Sequence, residues 1–239
     1  MAIVANTVSY LDQDAILEGF FAYDDGIVGQ RPVVLIHHAW AGRDQFVADK
    51  AVKLAELGYL AFAADMYGKG VLGTSREQNA ALMQPFMADR AKLQRRLLAA
   101  LATVKLMPWA DNHKVAAIGF CFGGLCALDL ARSGADISGV VSFHGLLGAP
   151  TDLSPSQIKA KVLVLHGNDD PMGPVEQVIA LQAELTKASA DWQMHIYANT
   201  MHAFTNPVAN DPDFGTVYQP LADSRSWQAM QNFLSEIFA

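Results

Sequence analysis

Residues 115–128 read VAAIGFCFGGLCAL, and this stretch decides the fold. Its first four residues are apolar and have the length of a buried strand, and a helix-forming run begins at Leu125. Between them lies the turn Gly119-Phe120-Cys121-Phe122-Gly123. Glycine at both ends of this turn removes side chains that would collide with the strand or the helix. The stretch therefore predicts a strand, a sharp turn that carries Cys121, and a helix.

The predicted turn gives Cys121 the setting of a nucleophile. A helix N-terminus that points at the sulfur favours a thiolate, and backbone N–H groups there can receive an oxyanion. The pattern G-x-C-x-G between a strand and a helix matches the nucleophile elbow of α/β-hydrolases, with cysteine in place of the usual serine. The alternative interpretation is a glycine-rich turn that holds an inert, buried cysteine.

Composition limits the classes to which the protein can belong. A chain of 239 residues, 51% of them hydrophobic, suits one α/β domain over residues 1–239 with a large core. A net charge of −7 without any block of Lys and Arg argues against nucleic acid and membranes as partners. Residues 1–14 have neither a basic n-region nor a long apolar core, so we expect no signal peptide and a cytoplasmic protein. Neither H-E-x-x-H nor C-x-x-C occurs, and we expect no metal and no other cofactor.

Apolar runs alternate with helical segments along the chain. Strands are expected over residues 3–9, 15–22, 33–37, 59–64, 115–118, 137–143, 161–166 and 192–197. Besides the helix after Cys121, helices are expected over residues 44–57, 75–107 with a break near Pro85, 175–187 and 224–238. The alternation predicts an α/β-hydrolase fold, in which a mostly parallel sheet of about eight strands is covered by helices on both faces.

Three polar residues follow predicted strands in the order Cys121, Asp170, His202, which is the order nucleophile, acid, histidine of α/β-hydrolases. His202 is expected to take the thiol proton and later to return a proton, and Asp170 to hold the imidazole in one tautomer. The N–H groups of Phe122 and of Ala39, in a loop after an earlier strand, would form the oxyanion hole. Asp169 stays open as an alternative to Asp170.

Other candidate residues have simpler interpretations. His37 and His166 also end predicted strands, and we expect them to be packed or hydrogen-bonded rather than catalytic. Cys126 lies about 140° around the helix from Cys121, which predicts a place in the core.

The sequence resembles the dienelactone hydrolase family over essentially its whole length. The resemblance rests on Gly119-Phe120-Cys121-Phe122-Gly123-Gly124, Asp65-Met66-Tyr67, His166-Gly167-Asn168-Asp169-Asp170 and His202-Ala203-Phe204. Its specific signal is the cysteine at the elbow. The resemblance implies a triad of Cys121, Asp170 and His202 and an oxyanion hole at Ala39 and Phe122.

Two positions depart from the pattern of the family. His38 stands where the founding enzyme has a glutamate that pairs with the thiol. Asn206 stands where it has an arginine that helps to bind the substrate carboxylate, and Arg76 is a possible substitute. Neutral substrates are therefore expected in preference to carboxylated dienelactone. The residues predicted to contact the substrate are His38, Trp40, Tyr67, His144 and Phe204.

The sequence favours a hydrolase of small ester or lactone substrates that works through an acyl-thioester intermediate. Phosphotriester hydrolysis, native or promiscuous, is the second interpretation, because a thiolate, a base and an oxyanion hole also serve attack at a neutral phosphorus centre. A non-catalytic thiol redox or binding protein on the same scaffold is the third. The oligomeric state stays open.

Overall fold

The computed structural model describes residues 2–151 and 157–239. The strands in these residues are β1 (Ile3–Asp12), β2 (Ala15–Asp24), β3 (Arg31–His37), β4 (Leu60–Ala64), β5 (Ala110–Phe120), β6 (Gly139–Phe143), β7 (Lys161–Gly167), β8 (Trp192–Tyr197), β9 (Asn210–Asp211) and β10 (Thr216–Val217). The helices are α1 (Gln45–Glu56), α2 (Arg76–Ala88), α3 (Arg90–Lys105), α4 (Phe122–Arg132), α5 (Val175–Lys187) and α6 (Pro220–Ile237).

The first eight strands form one sheet in the order β1-β2-β4-β3-β5-β6-β7-β8. Strand β2 pairs antiparallel with β1 and β4, whereas β3 with β4, β6 with β7, and β7 with β8 pair in parallel. Every residue of β4 and β6 is buried, as expected for apolar strands that are covered on both faces. The predicted α/β fold, a mostly parallel sheet of about eight strands with helices on both faces, is confirmed.

Residues 2–117 form one compact unit. Helix α3 buries an apolar stripe formed by Leu93, Leu97, Leu101 and Val104. The helix break was expected near Pro85, but Pro85 lies inside α2 and the break falls at Asp89. The Asp89 carboxylate accepts the Lys92 N–H at 2.8 Å, so a capping side chain determines where α3 begins.

Residues 118–151 and 157–239 form a second compact unit, which contains α4 to α6 and β6 to β8. Strand β8 was expected to be the last strand, but β9 and β10 follow it as a two-stranded antiparallel hairpin. Strands of two residues are too short to show an alternating pattern, which is why the sequence did not predict them. The prediction of a single domain over residues 1–239 stays a prediction. Among the described residues, we find no helix with both the length and the apolar character that a membrane crossing requires.

Candidate active site

Cys121 lies between β5 and α4 in a backbone conformation that side chains rarely adopt. Its φ is 57° and its ψ is −117°. A Cβ atom at position 119 would overlap the Gly123 carbonyl oxygen, so this turn requires glycine there. Helix α4 begins at Phe122, directly after Cys121, and not at Leu125 as the helix-forming run predicted. The sulfur is therefore attached at the N-cap position, where the helix dipole favours a negative charge.

His202 and Asp170 are joined by a buried hydrogen bond. The distance between His202 Nδ1 and Asp170 Oδ2 is 2.8 Å, and both side chains are almost fully buried. The other carboxylate oxygen, Oδ1, accepts the Met172 N–H at 2.8 Å, which fixes the orientation of the carboxylate. Asp169, the alternative acid, is exposed and its carboxylate accepts a hydrogen bond from the Asn168 side chain. The structure thus brings Asp170, and not Asp169, to the histidine.

The charges around His202 favour its protonated form. Burial opposes the positive charge, but the nearby Cys121 sulfur and the hydrogen bond to Asp170 outweigh burial and raise the pKa of His202 to about 10. The buried Nε2 has no hydrogen-bond partner of ordinary length among the described residues. The Cys121 sulfur nevertheless lies close enough to raise the pKa of His202, both through its charge and through a side-chain hydrogen bond.

The small hairpin of β9 and β10 holds the loop that carries His202. The His202 N–H donates to the Gly215 carbonyl, and the His202 carbonyl accepts the Val217 N–H, both at 3.0 Å. Gly215 has a φ of 79°, and a Cβ atom there would overlap the ring of Pro171, which directly follows Asp170. Sequence reasoning missed this support, although the turn residues Pro212 to Gly215 were the signal that could have revealed it.

His144 follows β6 and contacts the predicted nucleophile through its backbone. The residue is 2% exposed, and its ring nitrogen Nδ1 accepts the Cys121 N–H at 3.2 Å. Its Nε2 lies 2.8 Å from Thr205 Oγ1, and its ring packs edge-on against those of His202 and Phe204. Both ring nitrogens are engaged within the protein. The predicted substrate contacts of His144 and the fully buried Phe204 stay predictions, and Thr205 was not identified from the sequence.

The other predicted site residues belong to the unit of residues 2–117. His38 is fully buried, with Nδ1 2.6 Å from the Ala39 carbonyl oxygen and Nε2 accepting the Met66 N–H at 3.1 Å. Burial lowers the pKa of His38, so its ring is neutral and holds the backbone of Ala39 and Met66 through hydrogen bonds. The hydroxyl of the half-buried Tyr67 donates to the Trp40 carbonyl at 3.0 Å. The proposed contacts of these side chains with substrate, and the Ala39 N–H as an oxyanion donor, stay predictions.

Two further histidines are packed, as the sequence suggested. His166 Nε2 lies 2.8 Å from the Gly173 carbonyl oxygen. His37 is fully buried, neither of its ring nitrogens has a hydrogen-bond partner among the described residues, and burial with the neighbouring His38 lowers its pKa to about 3. Cys126 is fully buried on α4. Within the described residues, no cluster of three or more His, Cys, Asp or Glu side chains is suited to a metal ion.

Comparisons of the sequence and of the fold with known proteins point to the same family. A family model described as the dienelactone hydrolase family matches residues 17–238. The crystal structure of a dienelactone hydrolase-like promiscuous phosphotriesterase from metagenomic libraries is 38% identical, with both chains covered completely and a TM-score of 0.93.

Two curated relatives extend the comparison. An uncharacterised Caenorhabditis elegans protein is 39% identical over 159 residues, which are 64% of this chain and 99% of that protein. A protein of Aquifex aeolicus named as a candidate carboxymethylenebutenolidase is 28% identical over 84% of this chain and 87% of its own length. Members of the matched family are hydrolases, so the predicted enzyme class is confirmed. The chain belongs to the dienelactone hydrolase family.

Proposed function

We propose that this protein hydrolyses small ester and lactone substrates, with Cys121 as the nucleophile, His202 as the general base and acid, and Asp170 as the orienting carboxylate. The observation that carries the proposal is the buried His202, held by Asp170 at 2.8 Å and made more basic by the Cys121 sulfur. A thiolate, an imidazolium and a carboxylate in this order are what acyl transfer to sulfur requires.

Acylation begins when the Cys121 thiolate attacks the carbonyl carbon of the substrate. A C–S bond forms, and the π electron pair of the carbonyl moves to its oxygen. Phe122 is the first residue of α4, and first-turn N–H groups have no carbonyl partner within their own helix, so the Phe122 N–H is the proposed oxyanion donor. The second predicted donor is the Ala39 N–H. Collapse of the intermediate breaks the C–O bond, and His202 protonates the leaving alcohol.

Deacylation reverses these roles. His202, now neutral, accepts a proton from water as the water oxygen attacks the thioester carbon. The C–S bond breaks, the carboxylic acid leaves, and the thiolate and imidazolium are regenerated. Asp170 keeps the Nδ1–H tautomer in place throughout and stabilises the imidazolium whenever it forms.

The residues that depart from the family's pattern favour neutral substrates. A buried carboxylate is costly without a cationic, preferably forked, partner. Asn206 supplies a neutral amide, whose Oδ1 accepts the Val208 N–H at 3.3 Å. We therefore propose neutral aryl esters and lactones as better substrates than their carboxylated analogues.

Trapping of the acyl-enzyme tests the proposal. After incubation with an activated aryl ester and acid quenching, the peptide that contains Cys121 should gain the mass of the acyl group. Cys121→Ala should lose both the label and the turnover, because no other group replaces the nucleophile. Cys126→Ala removes the second, buried cysteine and should keep both. Turnover that survives in Cys121→Ala would overturn the mechanism.

Hydrolysis of neutral phosphotriesters is a second candidate function, supported by the 38% identity with a promiscuous phosphotriesterase over the whole chain. The thiolate would attack phosphorus and expel an aryloxide, and water would then cleave the S–P bond. Wild type should release aryloxide from a neutral aryl dialkyl phosphate, and Cys121→Ala should not. Equal release by both proteins would place that activity outside the triad.

A further inference from the structure

The turn after β6 places one buried histidine against both the nucleophile and the base. His144 has a φ of 37°, a left-handed conformation that is uncommon for a residue with a side chain. The centroid of its ring lies 5.1 Å from that of His202 and 5.0 Å from that of Phe204. Strained residues of this kind cluster at functional sites, where the surrounding structure holds them.

The hydrogen bonds of the His144 ring determine which nitrogen carries the proton. A backbone N–H can only donate, so Nδ1, which lies 3.2 Å from the Cys121 nitrogen, is the unprotonated acceptor. A neutral imidazole then carries its proton on Nε2, and Thr205 Oγ1 accepts that proton at 2.8 Å. The Cys121 N–H also donates to the Phe143 carbonyl at 3.1 Å, so Nδ1 shares this donor with a backbone oxygen.

We propose that His144 is a positioning residue for the nucleophile, held by Thr205 in the neutral Nε2–H form so that Nδ1 stabilises the strained backbone of Cys121. This inference rests on the function proposed above and extends it. In this role His144 acts through the backbone of Cys121, by orienting the sulfur. Its neutrality matters as well, because a second positive charge against the ring of His202 would oppose the imidazolium there.

The shared hydrogen bond sets the size of the expected effect. When Nδ1 is removed, the Phe143 carbonyl still accepts the Cys121 N–H, so the turn loses one of its two acceptors. The net contribution of one hydrogen bond corresponds to about a tenfold change in an equilibrium. Because the bond aims the sulfur and does not contact the substrate, we expect the loss in the acylation rate constant and not in KM.

Three variants separate the parts of this proposal. His144→Asn keeps an acceptor oxygen near the position of Nδ1, and asparagine tolerates the left-handed backbone. His144→Leu has almost the same volume as that variant but offers no acceptor, and leucine adopts the left-handed backbone less readily than asparagine. Thr205→Val has nearly the shape of threonine and removes only the oxygen that accepts the Nε2 proton. Thermal melting identifies any variant that fails to fold.

Single-turnover acylation with a neutral aryl ester should distinguish these variants. His144→Leu should slow acylation about tenfold, the factor expected for one hydrogen bond, and change KM less than twofold. His144→Asn should stay within about threefold of wild type because its acceptor remains. Thr205→Val alone should slow acylation. Added to His144→Asn, it should have no further effect, because asparagine has no tautomer for Thr205 to select.

Two measurements test His144 without any ester turnover. Nitrogen-15 spectra of the histidine side chains, assigned with His144→Asn, should show the His144 proton on Nε2 alone. Alkylation of Cys121 by iodoacetamide should slow in the same order as acylation. If wild type alkylates at Cys121 but forms no acyl-enzyme, the proposed function fails while these two tests of His144 still stand.

Three results would overturn the role of His144. The first is a proton on Nδ1 in the spectra. The second is a His144→Asn variant as slow as His144→Leu while both melt like wild type. The third is a Thr205→Val effect of equal size with and without His144→Asn, which would mean that Thr205 acts independently of the ring.

Discussion

His37 and His202 are equally inaccessible to water, yet their protonation equilibria move in opposite directions. His37, at the end of β3, is fully buried and its pKa falls to about 3, because burial and His38 both oppose a positive charge. His202 is 1% exposed and its pKa rises to about 10, because Cys121 and Asp170 outweigh the cost of burial. Burial alone therefore does not distinguish the proposed catalytic histidine from a packed one, whereas the charges in contact with each histidine do.

The two histidines also affect stability in opposite pH ranges. The pKa of His37 is about 6.5 in the unfolded chain and about 3 in the folded protein. Between these values the unfolded chain binds a proton that the folded protein does not, so the folded state loses stability as pH falls from about 6.5 towards 3. For His202, whose folded pKa is raised to about 10, the stabilisation is complete below about pH 6.5 and is lost as pH rises through 10. One residue thus contributes to acid sensitivity and the other to alkaline sensitivity.

The largest effect should be the difference in kcat/KM between replacing His202 and replacing His37 with an apolar residue. His202→Ala should reduce kcat/KM for an aryl ester at least about 100-fold, since it removes the proposed general base. His37→Leu should leave kcat/KM within about twofold, the usual range for a group that does not act on the substrate. Steady-state kinetics at pH 7 measure both. A His37→Leu variant that folds normally and is as slow as His202→Ala would remove the distinction between the two residues.

The next effect concerns Asp170, the carboxylate that binds His202, whereas the ring of His37 has no hydrogen-bond partner among the described residues. Asp170→Asn should reduce kcat/KM about 10- to 100-fold, because the amide neither stabilises the imidazolium nor fixes its tautomer. The exposed Asp169→Asn is the matched control and should stay close to wild type. If Asp169→Asn is the slower enzyme, the acid has been assigned to the wrong residue.

Acid stability gives the third test. Between pH 7 and pH 5, wild type should lose about 2 kcal/mol of unfolding free energy to the protonation of His37 in the unfolded chain, at up to about 1.4 kcal/mol per pH unit. His37→Leu should lack this loss. Urea unfolding at the two pH values measures it, and His195→Leu, which removes an exposed histidine, should keep the wild-type difference. Equal pH dependence in wild type and His37→Leu would show that His37 is not held neutral.

The smallest effect concerns the charge of the substrate. One scaffold, offered as the methyl ester of a side carboxylate and as the free acid, should give a several-fold higher kcat/KM in the neutral form, because a carboxylate without a cationic partner is costly to bury. The comparison needs fixed pH and salt concentration. A preference for the acid that Arg76→Ala abolishes would show that a cation binds the carboxylate after all.

Several parts of the site follow from short stretches of sequence. The turn around Cys121 depends on backbone sterics over five residues, and Gly119 is required because the Gly123 carbonyl lies where its Cβ would be. Strands β7 and β8 and helix α5 carry apolar patterns over their whole lengths, so their bounds agree with the expected ones to within one residue. Such features are determined by neighbours along the chain, which the sequence displays directly.

Other parts depended on residues that are distant in sequence. Asp169 and Asp170 are adjacent and chemically identical, and only the fold shows that one carboxylate faces solvent while the other binds His202, 32 positions away. The hydrogen bond between His144 and Thr205, 61 positions later, could not be predicted from the sequence either.

The sequence by itself determined the strand, the glycine-flanked turn and the helix that present Cys121, together with the order of the helices and of the first eight strands along the chain. The tertiary structure decided which acid meets His202, which tautomer His144 holds and which buried histidine is charged. The physical reason is that backbone sterics act between near neighbours in the chain, whereas a pKa or a tautomer depends on the charges and hydrogen-bond partners that folding brings into contact.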